Sequence, residues 1–162
     1  MITAKKFTMI RSLLMLIALV AMACLTACVS TNAAIPLTEP SYDRSHASDR
    51  QKFIVAIRPL VEPVGINQIH SWEIRVTTSA GAPVTKAVLF VGGGMPDHGH
   101  GFPTRPAVTR EVEPGTYLLE GMKFSMHGRW EIKLAIQVGE DSDMVTFNTM
   151  ILLPAALPTT GK

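Results

Sequence analysis

Residues 128–138 read GRWEIKLAIQV, and from Trp130 every second residue is apolar: Trp130, Ile132, Leu134, Ile136 and Val138. A period of two puts those side chains on one face of a strand and Glu131 and Lys133 on the other. A helix would scatter them around its circumference, so this segment commits the chain to β structure. The same signature recurs upstream. Phe53, Val55 and Ile57 alternate up to Pro59, and Trp72, Ile74 and Val76 share a face in IHSWEIRV. Between such runs lie the turn-forming stretches Glu62-Pro63-Val64-Gly65, Ser79-Ala80-Gly81-Ala82-Pro83 and Asp141–Asp143.

No window has a convincing helical period, and no internal repeat is present. Strands are expected at 52–58, 67–78, 85–92, 106–112, 115–121, 129–138 and 143–153. About seven short strands bounded by Gly, Pro and Asp indicate an all-β, immunoglobulin-like antiparallel β-sandwich. One domain is expected over residues 52–153, about 100 residues, a common single-domain size.

The N-terminus has a different character. Lys5, Lys6 and Arg11 precede the apolar run Leu13–Ala23, and Leu25-Thr26-Ala27-Cys28 follows. A basic start, a short apolar segment and small residues before a cut are the parts of an export signal peptide. The run is short for a bilayer span of about 20 residues. Leu25–Cys28 resembles the bacterial lipobox, which implies that the leader, residues 1–28, is cut before Cys28 and that this cysteine is acylated. A plain secretory signal or an uncleaved anchor is the alternative. Cys24 is the rival acylation site, but no aliphatic residue stands three positions before it. Val29 after Cys28 carries no inner-membrane retention signal, so an outer-membrane destination is favoured where the cell has one. The expected location is the cell envelope, lipid-anchored, on a periplasmic or extracellular face.

Two consequences follow. Cys24 and Cys28 are the only cysteines, so no disulfide is available to the domain although an exported compartment would allow one. Three of the fifteen basic residues lie in the leader, leaving twelve against thirteen acidic ones. A nearly neutral mature chain has no basic stripe of the kind that binds nucleic acid. Residues 29–51 are polar, contain two prolines, and read as a flexible tether with a reach of roughly 25–29 Å; His46 within it is expected to be solvated. Residues 154–162 are expected to be disordered. Their Leu157-Pro158-Thr159-Thr160-Gly161 matches a sortase pentapeptide, yet only Lys162 follows where an apolar span and basic tail would be needed.

Two segments concentrate unusual chemistry. Gly92–Gly101 (GGGMPDHGHG) and Met122–Gly128 (MKFSMHG) together hold His98, His100 and His127 with Met95, Met122 and Met126. Imidazole nitrogen and thioether sulfur suit copper, and thioether favours Cu(I). His98 and His100 stand two apart across a glycine and would point the same way in an extended loop, with Met95 and Asp97 close by. In an immunoglobulin-like sandwich the third and sixth strands pair antiparallel. That pairing would carry 95–100 and 126–127 to one pole.

These residues resemble a known family. Gly81-Ala82-Pro83-Val84 with Ala87, then Met95-Pro96-Asp97-His98-Gly99-His100, Pro114-Gly115-Thr116-Tyr117, and Phe124-Ser125-Met126-His127-Gly128-Arg129-Trp130 follow the order of motifs in the YtkA-like domain, which is related to the FixH group. The likeness spans roughly residues 65–140. It implies a small extracytoplasmic β-sandwich, often encoded with copper-handling or efflux systems, and carries over Met95, His98, His100 and Met126 as metal ligands. His127 falls where the pattern is free.

Plainer roles compete. Met126 shares a face with Phe124 if the strand continues, and Met122, Met144 and Met150 read as packing. His70 reads as a partly buried structural histidine beside Trp72. Zinc fits less well than copper, because structural zinc takes four N/S ligands, commonly with cysteine. No enzyme activity is expected: Ser71 and Ser125 lack a nucleophile-elbow context, Gly92-Gly93-Gly94 opens no helix, and Glu111 and Glu113 lie at a strand end. The expected function is a membrane-anchored metal-binding module, with a copper ion as its cofactor. The alternative is a non-catalytic interaction module that docks onto an envelope or efflux protein.

Overall fold

A computed structural model describes residues 40–153; the leader, Cys28, the tether up to residue 39 and the tail 154–162 lie outside the described residues. All seven expected strands are present. They are β2 (Phe53–Pro59), β3 (Ile69–Thr78), β4 (Val88–Met95), β6 (Ala107–Glu113), β7 (Thr116–Lys123), β8 (Gly128–Val138) and β9 (Asp141–Ile151), with two short additions, β1 (Ser45–Ala47) and β5 (His100–Gly101). One sheet has the order β1-β2-β3-β7-β6 and the other β5-β4-β8-β9, with every pairing antiparallel. Without the two short strands these are the four- and three-stranded sheets of an immunoglobulin constant-type sandwich.

The alternation read from sequence becomes the core. Trp72, Ile74 and Val76 from β3 meet Trp130, Ile132, Leu134 and Ile136 from β8, all at most 1 % exposed. Each fully buried side chain of this size contributes about 1.5–3 kcal/mol, so the two inner faces hold the sheets together without a disulfide. Tyr117 caps one edge: its hydroxyl donates to the Val84 carbonyl at 2.7 Å and accepts from the Ala87 amide. Burial pushes its pKa up.

Several expectations need correction. The tether does not extend to residue 51. β1 pairs with β2, with Ser45 opposite Ala56, and His46 packs its ring 4.5 Å from that of Phe147 instead of standing in solvent. Met122 is buried, but Met144 and Met150 are 50 % and 46 % exposed. Their register partners, Ala135 and Arg129, belong to the outward-facing set of β8, so the same period that buries Ile136 exposes them. Met126 does not continue the Phe124 face either. β7 ends at Lys123, and Met126 lies in the following loop, 37 % exposed. His70 does follow the expectation: it is 7 % exposed, and its Nε2 lies 2.8 Å from the Gly65 carbonyl.

The turn from β1 to β2 is fixed by one acid. Asp143, 2 % exposed, accepts from the Ser48 hydroxyl at 2.6 Å and from the amides of Met144, Arg50 and Lys52 at 2.8, 3.0 and 3.3 Å. Burial alone would push the carboxyl pKa up, but the hydroxyl and the three amides hold it well below the usual carboxylate range. Among the described residues no helix is long and apolar enough to cross a membrane.

Candidate functional site

The site stands where β4 ends and β8 begins. The two strands pair antiparallel, with Gly94 opposite Glu131. The pairing expected of the third and sixth strands therefore carries 95–100 to the start of β8. β5 returns along the other edge of β4, placing Gly101 opposite Gly94 and His100 opposite Met95. Glycine makes this close approach feasible. A Cβ on Gly93 would lie 2.0 Å from the Glu131 carbonyl oxygen, and one on Gly94 2.2 Å from that of His100. Both residues have positive φ, 130° and 156°. An open depression of about 280 Å³ results, bordered by these glycines with Gly99, Gly101 and His100, and flanked by Glu131 and Lys133.

The segment between β4 and β5 is not extended, as sequence spacing suggested. Pro96–His98 makes a single 3₁₀ turn, and Gly99 reverses the chain in the left-handed region at φ 69°. His98 and His100 nevertheless come together, with ring centroids 6.0 Å apart and both side chains exposed. With metal–nitrogen distances of about 2.0–2.1 Å, a ring centroid sits about 3 Å from a bound ion, so two imidazoles on opposite sides of one ion have centroids about 6 Å apart. The Nδ1 of His100 lies 3.2 Å from the Gly101 carbonyl. In the tautomer in which Nδ1–H donates there, the lone pair of Nε2 is left for a ligand.

The remaining expected residues are distributed around this pair. Met95 is 2 % exposed and belongs to the core cluster; its Cε would stand 2.8 Å from a Cβ on Gly128. It lines the depression from the core side, and packing is its evident part. Met126 is linked to the pair through Trp130. The Trp130 indole N–H donates to the Met126 carbonyl at 3.1 Å, and its ring meets that of His100 at 5.6 Å, edge to face. His127 is exposed in the same loop. Asp97 is engaged elsewhere: its carboxylate accepts from Arg129 Nη2 at 2.6 Å. That hydrogen bond holds its pKa below the ordinary range, and the reciprocal bond raises that of Arg129. Cys28 lies outside the described residues.

Three contributors escaped notice in sequence. Phe102 stacks at 5.7 Å, with an interplanar angle of 8°, on the same Trp130 ring that meets His100. Arg129 pins the 3₁₀ turn to β8. Lys133 stands 3.0 Å from Glu131, which Arg129 also contacts at 3.2 Å. The outward alternation of Arg129, Glu131 and Lys133 along β8 was the available signal. Among the described residues no group of three or more His, Cys, Asp or Glu converges to hold a metal. Two imidazoles, beside carboxylates already paired with Arg129 and Lys133, make a site with little uncompensated negative charge.

The YtkA-like family profile matches residues 54–135, from β2 to most of β8, with Met95, His98, His100 and Met126 inside the match. The chain belongs to the YtkA-like family. No curated protein and no solved structure gives a significant match. The family region ends before β9, so Asp143, which fixes the β1–β2 turn, falls outside it.

Proposed function

We propose that this YtkA-like protein is a metal-binding module of the cell envelope, lipid-anchored through Cys28, with copper as the bound ion. The observation that carries this reading is the exposed imidazole pair, His98 and His100, at 6.0 Å on the rim of a depression. Imidazoles are copper ligands, and Met126, 37 % exposed in the loop whose carbonyl holds the Trp130 indole, is the thioether we assign to the same ion. Met95, 2 % exposed in the core, packs the site from within and is left out of the proposed ligand set.

Charge favours Cu(I) over divalent ions. Asp97 is bonded to Arg129, and Glu131 lies between Arg129 and Lys133, so no carboxylate beside the site is uncompensated. A monovalent soft ion needs less negative charge than Zn²⁺ and gains more from sulfur. The exposed rim suits a carrier or sensor, because an ion held there can be exchanged.

Calorimetric titration of the chain from residue 29 onward with Cu(I), Cu(II) and Zn(II) tests the assignment. The wild type is expected to bind one Cu(I). The His98→Ala/His100→Ala double variant should weaken binding by more than about 100-fold, beyond what disturbing outer partners of a metal site alone produces. Both residues are exposed, so circular dichroism should be unchanged. Undiminished affinity in the double variant would remove the site.

A further inference from the structure

The end of the sandwich that holds the imidazole pair also exposes a group of large apolar side chains. Leu60, Val61, Ile69, Leu152 and Leu153 are 47–73 % exposed. Hydrogen bonds and strand register tie them to one end. The Leu60 amide donates to Ser71, the Asn67 amide donates to the Phe124 carbonyl, Ile69 stands opposite Lys123, and Ile151 opposite Gly128. Between the 60–68 loop and the end of β9 lies a cleft of about 830 Å³, lined by Val64, Ile66, Met150, Leu152 and Leu153. Arg44 and Glu62 pair at 2.5 Å on its rim. The opposite end differs. Its turns at 48–52 and 139–140 carry Asp49, Arg50, Lys52 and Glu140, and the exposed apolar residues of that half, Val88, Phe90 and Met144, lie on the outer face of the β4-β8-β9 sheet and not in its turns.

The path of the chain adds a second observation. The Arg44 carbonyl accepts from the Ile57 amide, and the Ser41 carbonyl accepts from the Asn148 side chain at 2.9 Å. The polypeptide therefore joins the fold at this same apolar end, with Tyr42, 44 % exposed, beside the junction. Only eleven residues separate Cys28 from Pro40. Such a segment reaches roughly 17–20 Å as a flexible coil and about 40 Å at full stretch. β8 alone, eleven residues at about 3.3 Å each, is about 36 Å long. A lipid on Cys28 could bring the far end to a bilayer only with the linker almost fully drawn out along the domain. The near end reaches it without tension.

We infer that this apolar end rests on the lipid bilayer surface, with Val61, Leu152 and Leu153 entering the interfacial layer and the imidazole pair held at the membrane. Apolar side chains with an aromatic at the margin are the composition of interfacial contacts. The inference uses the anchor at Cys28 but not the metal, and it stands or falls separately from copper binding.

Fluorescence quenching tests it on the full acylated protein, purified from membranes and reconstituted in phosphatidylethanolamine–phosphatidylglycerol vesicles. A fluorophore is attached at Val61→Cys, Leu152→Cys or Ala80→Cys, the last in the turn at the far end. Lipids spin-labelled near the head group should quench the first two several-fold more than the third. Leu152→Ser with Leu153→Ser, both exposed and outside the core, should reduce quenching at position 61. Equal quenching at all three positions would overturn the inference, as would a protein that fails to stay with the vesicles. Label-to-label contact between copies without lipid quenching would also overturn it, and would assign the surface to a second copy.

Discussion

The two ends of this sandwich treat polar groups in opposite ways. At one end Asp143 is buried and surrounded by the Ser48 hydroxyl and the amides of Arg50, Lys52 and Met144. At the other, His98 and His100 stand exposed on a rim, at the same pole as leucines and valines that the fold leaves uncovered. A saturated polar group has no valence left for a ligand, and its role is to hold chain segments together. A pair of lone-pair donors in the open contributes little to stability and remains available for binding. The contrast separates structure from function by counting partners, and it makes quantitative claims about both ends.

The largest effect should come from the saturated end. Asp143→Asn replaces an acceptor-only carboxylate with an amide whose NH₂ must face a donor, and a cost of about 3 kcal/mol is expected. Denaturant unfolding would measure it, while copper affinity at the far pole should be unchanged below the transition. Acid should act in the same direction. The folded carboxyl has a depressed pKa, so its contribution is fully present above the unfolded value of about 3.9 and is lost as pH falls below it. Stability that does not decline below about pH 4, or an Asn variant as stable as wild type, would break the contrast.

A middle-sized effect should mark the boundary between the two regimes, where backbone rather than side chains shapes the site. Gly93→Ala places a methyl 2.0 Å from the Glu131 carbonyl oxygen at a φ of 130°, so β4 must move away from β8. A loss of about 2 kcal/mol is expected, together with weaker copper binding as the 3₁₀ turn shifts. Gly92→Ala is the control. A Cβ there meets nothing within 4 Å, and the effect should stay within about 0.5 kcal/mol. Equal losses from the two substitutions would mean that strand propensity, and not the close approach, explains the glycines.

Sequence and structure agree where a pattern repeats often enough to be read. The seven longer strands each carry several turns of period two or a turn signal at their ends, and all seven are present. β1 and β5, with three and two residues, are too short to show any period. Met95 shows a different failure. The positive φ values of Gly93 and Gly94 disturb the alternation of β4, so Gly94 and Met95 are buried in succession and the methionine turns into the core. The meeting of 95–100 with the start of β8 was legible because sandwich topology dictates it. The capture of Asp97 by Arg129 joins residues 32 positions apart and depends on side-chain reach, which no local pattern encodes.

That ion pair gives the smallest and most discriminating test of the contrast. Arg129 spans Asp97 at 2.6 Å and Glu131 at 3.2 Å, so it withholds from the imidazole pair the two carboxylates best placed to join it. Arg129→Gln should barely move the unfolding midpoint, because the Asp97 carboxylate is largely exposed and such pairs are screened by solvent. Its effect should appear in selectivity. With Asp97 released, the pole gains a hard, anionic oxygen donor beside two imidazoles, and the ratio of Zn(II) to Cu(I) affinity should rise in parallel titrations. An Arg129→Lys variant, which keeps the charge but not the forked geometry, should fall between the two. If neither substitution alters the ratio, the carboxylates do not set the preference of this pole, and selectivity must come from the thioether of Met126 instead.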